Sequence, residues 1–206
     1  MNFSRLIFLG FLILVVTLQP ADAGSKTSPK EAEKFIQKLG NDAVRLLSEK
    51  SIALSEREKQ IRELLRKNFA LDTIGRFVMS RSWRTATPEQ RDEYLNLFSE
   101  YVLRTYSRRI GGYANETFTI ETAKPLGRRD AVVLTEIKRH AGQPLKAGWR
   151  VRDTKNGFKI IDVIVEGVSM AATQRSEFET IVREHGVAGL IETLRAKVSS
   201  FSARSS

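Results

Sequence analysis

The fold of this 206-residue chain depends on one stretch, Ile160-Ile161-Asp162-Val163-Ile164-Val165-Glu166-Gly167-Val168-Ser169-Met170. Apart from Asp162, its first half is apolar on both faces of a strand. The pattern breaks at Gly167, and Ser169 then opens a helix. A strand that is apolar on both faces needs apolar cover on both faces. One cover is the protein's own core, and the other is either more core or a cavity that holds an apolar ligand.

The composition favours one globular domain. Of the residues, 41% are hydrophobic, which is enough for one sizeable core. The charged residues make up 28% and are interspersed, which argues against global disorder. The chain contains no cysteine, so disulfides, cysteine–zinc sites and thiol catalysis are excluded.

The N-terminus has the three parts of a secretory signal. A short region with one positive charge, Met1 to Arg5, precedes an apolar run from Leu6 to Leu18. Ala21-Asp22-Ala23 is an A-x-A cleavage signal, so we predict a signal peptide over residues 1–23 and a flexible segment over residues 24–29. The apolar run is short for a membrane span, which needs about 20 residues. An uncleaved anchor is the alternative.

The formal net charge of +10 indicates an anionic partner. The signal holds one Arg and one Asp, so its removal leaves this charge unchanged. Outside the cytoplasm, membrane surfaces and acidic proteins are the natural partners of a strongly basic protein. Export makes nucleic acid an unsuitable partner.

Helix-start signals predict three or four helices in the first half of the chain. They lie at Ser28, Ser55, Asp72 and Thr87. The strongest is the capping box of Thr87-Pro88-Glu89-Gln90. The helix that follows ends at Gly111-Gly112 and carries an apolar stripe at steps of three and four, formed by Tyr94, Leu97, Phe98, Tyr101, Val102 and Thr105.

The period then changes to two, which predicts strands. Four strands are expected, around Phe118–Ile120, Ala131–Ile137, Leu145–Arg152 and Phe158–Val165, with a two-residue turn at Asn156-Gly157. Two helices close the chain, the first over about Ser169–Glu184 and a shorter one around Leu190. The fold class is therefore α+β, with helices packed on the concave face of a curved four-stranded antiparallel sheet. The domain spans residues 30–198, and residues 199–206 are expected to be frayed.

Residues suited to catalysis or metal binding are scarce. His140 and His185 have no other ligand at a useful spacing, so both are interpreted as surface residues and no metal site is expected. Asp162 is the one carboxylate inside an apolar strand. It is either a base with a raised pKa or, as we favour, a structural carboxylate paired with an arginine or a helix N-terminus.

Two further features leave alternatives open. Trp83 either plugs the core or lines a cavity mouth, with Arg81 and Arg84 facing lipid phosphates. The aromatic stripe of Tyr94, Phe98 and Tyr101 is either ordinary core or one wall of a cavity.

Two stretches carry a resemblance to a known family. The first is Ile74–Gln90, which continues through the aromatic stripe, and the second is Val163–Met170. Together they resemble the MlaC family of periplasmic phospholipid-binding proteins, also called the toluene-tolerance family. The segments Phe77–Arg84 and Thr173–Phe178 resemble in particular the hopanoid-associated HpnM branch. The likeness covers roughly residues 30–198.

The resemblance implies a soluble lipid carrier of the periplasm. Proteins of this type have an α+β fold related to the NTF2-like cone, with a deep apolar cavity between sheet and helices. They hold the acyl chains of a phospholipid, or here a hopanoid, and leave the head group largely outside. They shuttle lipid between an inner-membrane ABC transporter with an MCE-domain subunit and an outer-membrane lipoprotein complex. The resemblance implies no catalytic residue and no cofactor other than bound lipid, and we expect a monomer.

By the same resemblance, two sets of residues are assigned to the lipid. The predicted cavity lining consists of Phe77, Val78, Trp83, Phe98, Tyr101, Val102, Trp149, Val151, Val163, Val165, Val168 and Met170. The predicted head-group or membrane contacts are Arg81, Arg84, Arg150 and Arg152. Two other functions remain open at this stage, namely a small cone-fold isomerase or hydratase with Asp162 as its base, and an envelope interaction module with a filled core.

Overall fold

The computed structural model describes residues 27–49, 51–111, 116–138 and 142–203, so the predicted signal peptide, Gly112 and His140 lie outside the described residues. Within these ranges the chain forms six helices and five strands, which are α1 (Pro29–Ser48), α2 (Leu54–Asn68), α3 (Leu71–Met79), α4 (Ser82–Thr85), α5 (Pro88–Gly111), β1 (Thr117–Leu126), β2 (Asp130–Lys138), β3 (Leu145–Thr154), β4 (Gly157–Val165), β5 (Val168–Ser169) and α6 (Met170–Ala203).

The strands form one antiparallel sheet in chain order from β1 to β5. The predicted α+β class is confirmed, with β1 to β4 as the four expected strands. The additional strand β5 has only two residues, in a place where the sequence predicted a bend and a helix start. Shifts of register between Ile120 and Thr122 and between Arg150 and Val151 are bulges, which add twist and curvature to the sheet.

Two hairpin turns use left-handed backbone in different ways. Glu166 and Gly167, between β4 and β5, have φ values of 48° and 82°, as a type I′ turn requires. The turn between β3 and β4 lies one residue earlier than predicted, at Lys155-Asn156, because Thr154 pairs with Gly157. Gly157 has a φ of 80° and supplies the left-handed residue that follows such a turn.

The predicted capping box at the start of α5 is present. The hydroxyl of Thr87 accepts a hydrogen bond of 3.2 Å from the N–H of Gln90, and the Gln90 side chain accepts one of 3.1 Å from the N–H of Thr87. The two predicted closing helices are also present, joined as α6 through a kink at Gly186, where φ is 68°.

Both predicted flexible ends are more ordered than expected. Thr27 is buried, and its hydroxyl donates a hydrogen bond to Arg129 O at 2.7 Å and accepts one from the N–H of Asp153 at 2.8 Å. Thr27 is therefore anchored to the sheet within the segment that was expected to be flexible. At the other end α6 continues to Ala203, and Arg108 lies over the ring of Phe201, so residues 199–203 are helical where a frayed end was expected.

Helix α1 covers one face of the sheet. Ile36 and Leu39 pack with Val133, Val151 and Ile160, which all lie on the same face. The approach is close, because a Cβ atom at Gly40 of α1 would lie 2.5 Å from the Phe118 ring of β1.

The opposite face carries an ion cluster. Asp130 of β2 is buried and accepts hydrogen bonds from the guanidinium groups of Arg150 and Arg152 on β3, at 2.5 to 3.0 Å. Burial by itself would raise the pKa of Asp130, but the hydrogen bonds from Arg152 and Arg150 outweigh it and hold the pKa below its ordinary value of 3.8. Asp130 therefore stabilises the fold in its charged form.

We predict that Asp130→Asn lowers the free energy of unfolding by about 2 kcal/mol at neutral pH, because the arginines lose a charged acceptor. A depressed carboxyl pKa gives stability that is present above the unfolded pKa of about 3.9 and is lost as the pH falls through the folded value. The difference between wild type and Asp130→Asn should thus shrink below about pH 4 in urea titrations. Glu136→Gln, on the same strand and 3.8 Å from Lys138, is the control and should cost under about 1 kcal/mol. A difference that does not change with pH would contradict this role.

Candidate functional site

The apolar interior consists of two clusters. The helix cluster lies between helices α3, α5 and α6. Its buried residues are Val78, Met79, Ala86, Tyr94, Phe98, Ala171, Phe178, Leu190, Ile191 and Leu194. The sheet cluster lies between α1 and the sheet and is centred on Ala32, Ile36, Leu39, Ala131, Val133, Val151 and Ile160.

Three aromatic rings form the middle of the helix cluster. Tyr94 stacks on Phe98 at 5.7 Å between centroids, and Phe178 meets both rings edge-on at 6.3 to 6.4 Å. The Tyr94 hydroxyl donates a hydrogen bond of 2.9 Å to Gly75 O, and burial raises the pKa of Tyr94 far above its usual range. A Cβ atom at Gly75 would lie 2.8 Å from Leu95, so the glycine allows α3 to approach α5. The stripe of α5 is therefore close-packed core at this point.

The sheet cluster is more open around Trp149. The Trp149 ring lies 6.3 Å from the Phe118 ring, and its indole N–H donates to the Thr135 hydroxyl at 2.9 Å. Trp149 and its neighbour Val163 on β4 are only partly buried. Partly buried apolar side chains on a concave sheet are suited to contact with an apolar ligand.

The predicted lining residues divide into four groups. Fully buried in the two clusters are Val78, Phe98 and Val151. Partly buried against the helix cluster are Trp83, Tyr101 and Val102, and against the sheet cluster Trp149 and Val163. Val165 and Met170 are partly buried but belong to neither cluster. Phe77 and Val168 are exposed.

Phe77 and Val168 differ from the other predicted lining residues, because both side chains are exposed. Phe77 is 47% exposed, and the guanidinium of Arg175 lies 5.5 Å from its ring centre. Val168 is 54% exposed and lies on β5, the last strand at its edge of the sheet. The helical stripe of α3 turns Ile74 and Val78 inward, which leaves the adjacent Phe77 facing outward.

Trp83 has two cationic neighbours. The guanidinium groups of Arg76 and Arg91 lie 5.1 and 5.3 Å from its ring centre, and Arg91 also donates to Trp83 O at 2.8 Å. These contacts hold the ring at the edge of the helix cluster. The position favours the reading in which Trp83 packs on the core, with the arginines of α3 and α5 around it.

The four predicted head-group contacts have two different environments. Arg81 and Arg84 are exposed, as such a role requires. Arg150 and Arg152 instead bind Asp130 on the sheet face opposite the sheet cluster. The Asp130 carboxylate accepts hydrogen bonds from both guanidinium groups, and a head-group role for these two arginines stays a prediction.

Tyr106 is a candidate that the sequence-based assignment omitted. It lies on α5 one turn beyond Val102, and burial raises the pKa of both Tyr101 and Tyr106. Their phenols stay protonated at neutral pH and offer hydrogen-bond donors beside apolar side chains. The spacing of four from Val102 is the signal by which Tyr106 can be found in the sequence.

Asp162 is a helix-capping residue. Its Oδ1 accepts a hydrogen bond of 3.1 Å from the N–H of Ala171, and its Oδ2 accepts one of 2.6 Å from the Ser169 hydroxyl. Ser169 in turn accepts a hydrogen bond of 3.0 Å from the N–H of Ala172. The structural reading of Asp162, paired with a helix N-terminus, therefore accounts for both of its oxygens.

Two surface depressions of about 450 and 410 Å³ lie away from these residues. Polar side chains of α1 line the first, and the second lies beside the start of α3, between Arg66 and Lys159. Neither wall contains a residue of the predicted lining, so the lipid cavity stays a prediction.

In the part of the chain that the structure describes, no group of His, Asp or Glu side chains is arranged to hold a metal ion. His185 is exposed, with Glu184 at 3.9 Å. Among the described helices, none is both long and apolar enough to cross a membrane.

Comparison with known proteins identifies relatives. A family model described as MlaC protein matches residues 26–196. The intermembrane phospholipid transport system binding protein MlaC of Haemophilus influenzae is 24% identical over 133 residues, which are 63% of this chain and 62% of the relative. Toluene tolerance protein ttg2D of Pseudomonas putida is 23% identical over 116 residues, 56% of this chain and 54% of the relative. These alignments thus span less than two thirds of either relative.

A solved structure has the same fold. It is the phospholipid-binding protein from Ralstonia solanacearum in complex with a phospholipid, and it matches with a TM-score of 0.73. The match covers 83% of this chain and 98% of that chain, at 20% identity. At this identity the likeness establishes the fold alone.

The capping role of Asp162 predicts a coupled pair. Asp162→Ala should lower the free energy of unfolding by about 2 kcal/mol, and Ser169→Ala by about 1 kcal/mol. The double variant should cost about 1 kcal/mol less than the sum, because the two side chains share one hydrogen bond and one helix end. Urea unfolding of the four proteins measures this coupling. Strictly additive effects would contradict the shared cap.

Proposed function

Because the chain belongs to the MlaC protein family, we propose that it carries lipid through the periplasm between the inner and outer membranes. The cargo is a phospholipid or, if the likeness to the HpnM branch extends to the ligand, a hopanoid. The family match over residues 26–196 is the observation that carries this proposal. The names of the Haemophilus and Pseudomonas relatives, a phospholipid transport binding protein and a toluene tolerance protein, agree with it.

Burial of acyl chains is the physical basis of the proposed role. Each methylene removed from water contributes about 0.8 kcal/mol, so a free lipid does not cross an aqueous compartment at a useful rate. The surfaces best suited to cover the chains are the partly buried ones, namely Tyr101, Val102, Trp149, Val163 and Val165. The phenols of Tyr101 and Tyr106 would donate hydrogen bonds to ester or phosphate oxygens.

The proposed role needs no catalysis. Asp162, the candidate base, has both oxygens occupied at the start of α6. The proposed partners are an MCE-domain subunit of an inner-membrane ABC transporter and an outer-membrane lipoprotein complex. The proposed carrier works as a monomer. The signal peptide over residues 1–23 directs its export to the periplasm and is then cleaved.

A second candidate is an interaction module that binds an envelope protein and carries no lipid. It is favoured by the complete burial of Val78, Phe98 and Val151, which belong to close-packed clusters. The two candidates differ in whether lipid accompanies the protein.

Lipid extraction decides between them. Protein purified from the periplasm should show, by native mass spectrometry, a mass shifted by one lipid, and lipid mass spectrometry should identify a phospholipid or a hopanoid. The expected result follows from the apolar cover that partly buried side chains can give to acyl chains. A sample with only the mass of the polypeptide would favour the interaction module.

The two tryptophans allow a test of where the chains lie. Trp83→Phe leaves Trp149 as the only tryptophan, and Trp149→Phe leaves Trp83. With a phospholipid brominated in its acyl chains, we expect strong quenching of Trp149, which is partly exposed in the sheet cluster. Weaker quenching is expected for Trp83, because Arg76 and Arg91 lie at its ring. Stronger quenching of Trp83 than of Trp149 would indicate that the acyl chains lie beside the helix cluster.

A further inference from the structure

Phe77 and Val168, the two exposed residues of the predicted lining, lie near the start of α6. In the described ranges, three large hydrophobic side chains are exposed, and they are Leu54, Phe77 and Val168. Phe77 lies beneath Arg175 of α6, and Val168 comes two residues before the first residue of that helix. Met170 and Arg175 are five residues apart, about 7.5 Å along the helix axis. We refer to Phe77, Arg81 and Arg175 as the Phe77 patch, since Arg175 lies over the Phe77 ring and both arginines lie near Glu179.

The Phe77 side chain has positively charged neighbours. Arg175 pairs with Glu179 at 2.9 Å, and this hydrogen bond, together with Ser80 and Arg81, lowers the pKa of Glu179. The two arginines leave a net positive charge after Glu179 is counted. The exposed side chains of Arg76 and Arg84 on the neighbouring α3 and α4 add to it.

The backbone holds Arg81 in this position. Ser80 has a φ of 56° and a ψ of −131°, which side-chain-bearing residues rarely adopt. Its N–H donates to Arg76 O and Phe77 O, both at 3.2 Å, and so closes the end of α3. The chain turns sharply there, between Phe77 and the exposed Arg81.

We propose that the Phe77 patch binds the surface of an anionic phospholipid bilayer. An exposed aromatic ring beside arginines matches the boundary between head groups and acyl chains, where the ring is buried and the cations meet phosphates. The net charge of +10 attracts the whole protein to such a surface. An acidic protein is the competing partner. A membrane is favoured over an acidic protein because a fluid anionic surface can contact the Phe77 patch without a groove of complementary shape. The proposal goes beyond the carrier function, since it concerns how the protein meets a membrane and not what it holds.

Sedimentation with vesicles tests the proposal. The purified full chain is mixed with phosphatidylcholine vesicles, with or without about one third phosphatidylglycerol. We expect binding to the anionic vesicles only, and weaker binding when salt rises from about 0.1 to about 0.5 M. Phe77→Ala should weaken binding about tenfold and Arg81→Gln about fivefold.

Matched controls lie elsewhere on the surface. Leu54→Ala removes an apolar side chain of similar exposure, 49% against 47%, and should leave binding unchanged. Lys30→Gln changes an exposed lysine of α1 and should change binding less than Arg81→Gln. Arg175→Gln changes a residue of the Phe77 patch that has no assigned role in lipid binding. It should weaken vesicle binding and leave the lipid cargo measured by mass spectrometry unchanged, which separates this proposal from the carrier function.

Hydrogen exchange gives a test without substitutions. Addition of anionic vesicles to wild-type protein should slow exchange around residues 76–81 and 168–175 and leave α1 unchanged. The proposal would be overturned if wild-type protein does not bind anionic vesicles. It would also be overturned if Leu54→Ala and Phe77→Ala weaken binding equally. Binding to an acidic protein through the Phe77 patch without binding to vesicles would overturn it as well.

Discussion

The two hydrogen bonds to the Asp162 carboxylate connect the sheet of this protein to its helices. They hold the first turn of α6 against β4, and the helix N-terminus balances the charge of the buried carboxylate. The same strand also receives the start of α3, since the N–H of Ala70 donates to Ile160 O at 2.9 Å. Strand β4 is thus the point at which the helix cluster is attached to the sheet. Both stretches that resemble the MlaC family pass close to this junction, one through α3 and the other through β4.

The arginines show how one residue type serves different physical tasks. Arg150 and Arg152 neutralise buried Asp130 on the outer face of the sheet. Arg76 and Arg91 hold the Trp83 ring at the edge of the helix cluster. Arg81, beside the strained Ser80, stays exposed near Phe77. The large formal charge therefore does not form a single binding surface, because some of the arginines make contacts within the folded protein.

The sequence predicted the candidate site in part. The aromatic stripe of α5 and the strand of Val163 were found because periodicity reports which residues share a face. Periodicity does not report what lies opposite that face. Phe98 and Tyr101 belong to one stripe, yet Phe98 is closely packed and Tyr101 is partly open. The exposure of Phe77 was not predicted, because a short helix between two turns gives too few residues to define its inner face.

The sequence by itself determined the α+β class, the four main strands, the capping box at Thr87 and the family. These features depend on local backbone preferences and on the periodic spacing of apolar residues. Both can be recognised from residues that are close together in the sequence. Only the tertiary structure decided that Asp162 caps α6, that Arg150 and Arg152 bind Asp130, and that Phe77 and Val168 face solvent. Each of these outcomes depends on which elements become neighbours in space. Distant segments of the chain set that arrangement together, through the burial of apolar surface and the pairing of buried charge.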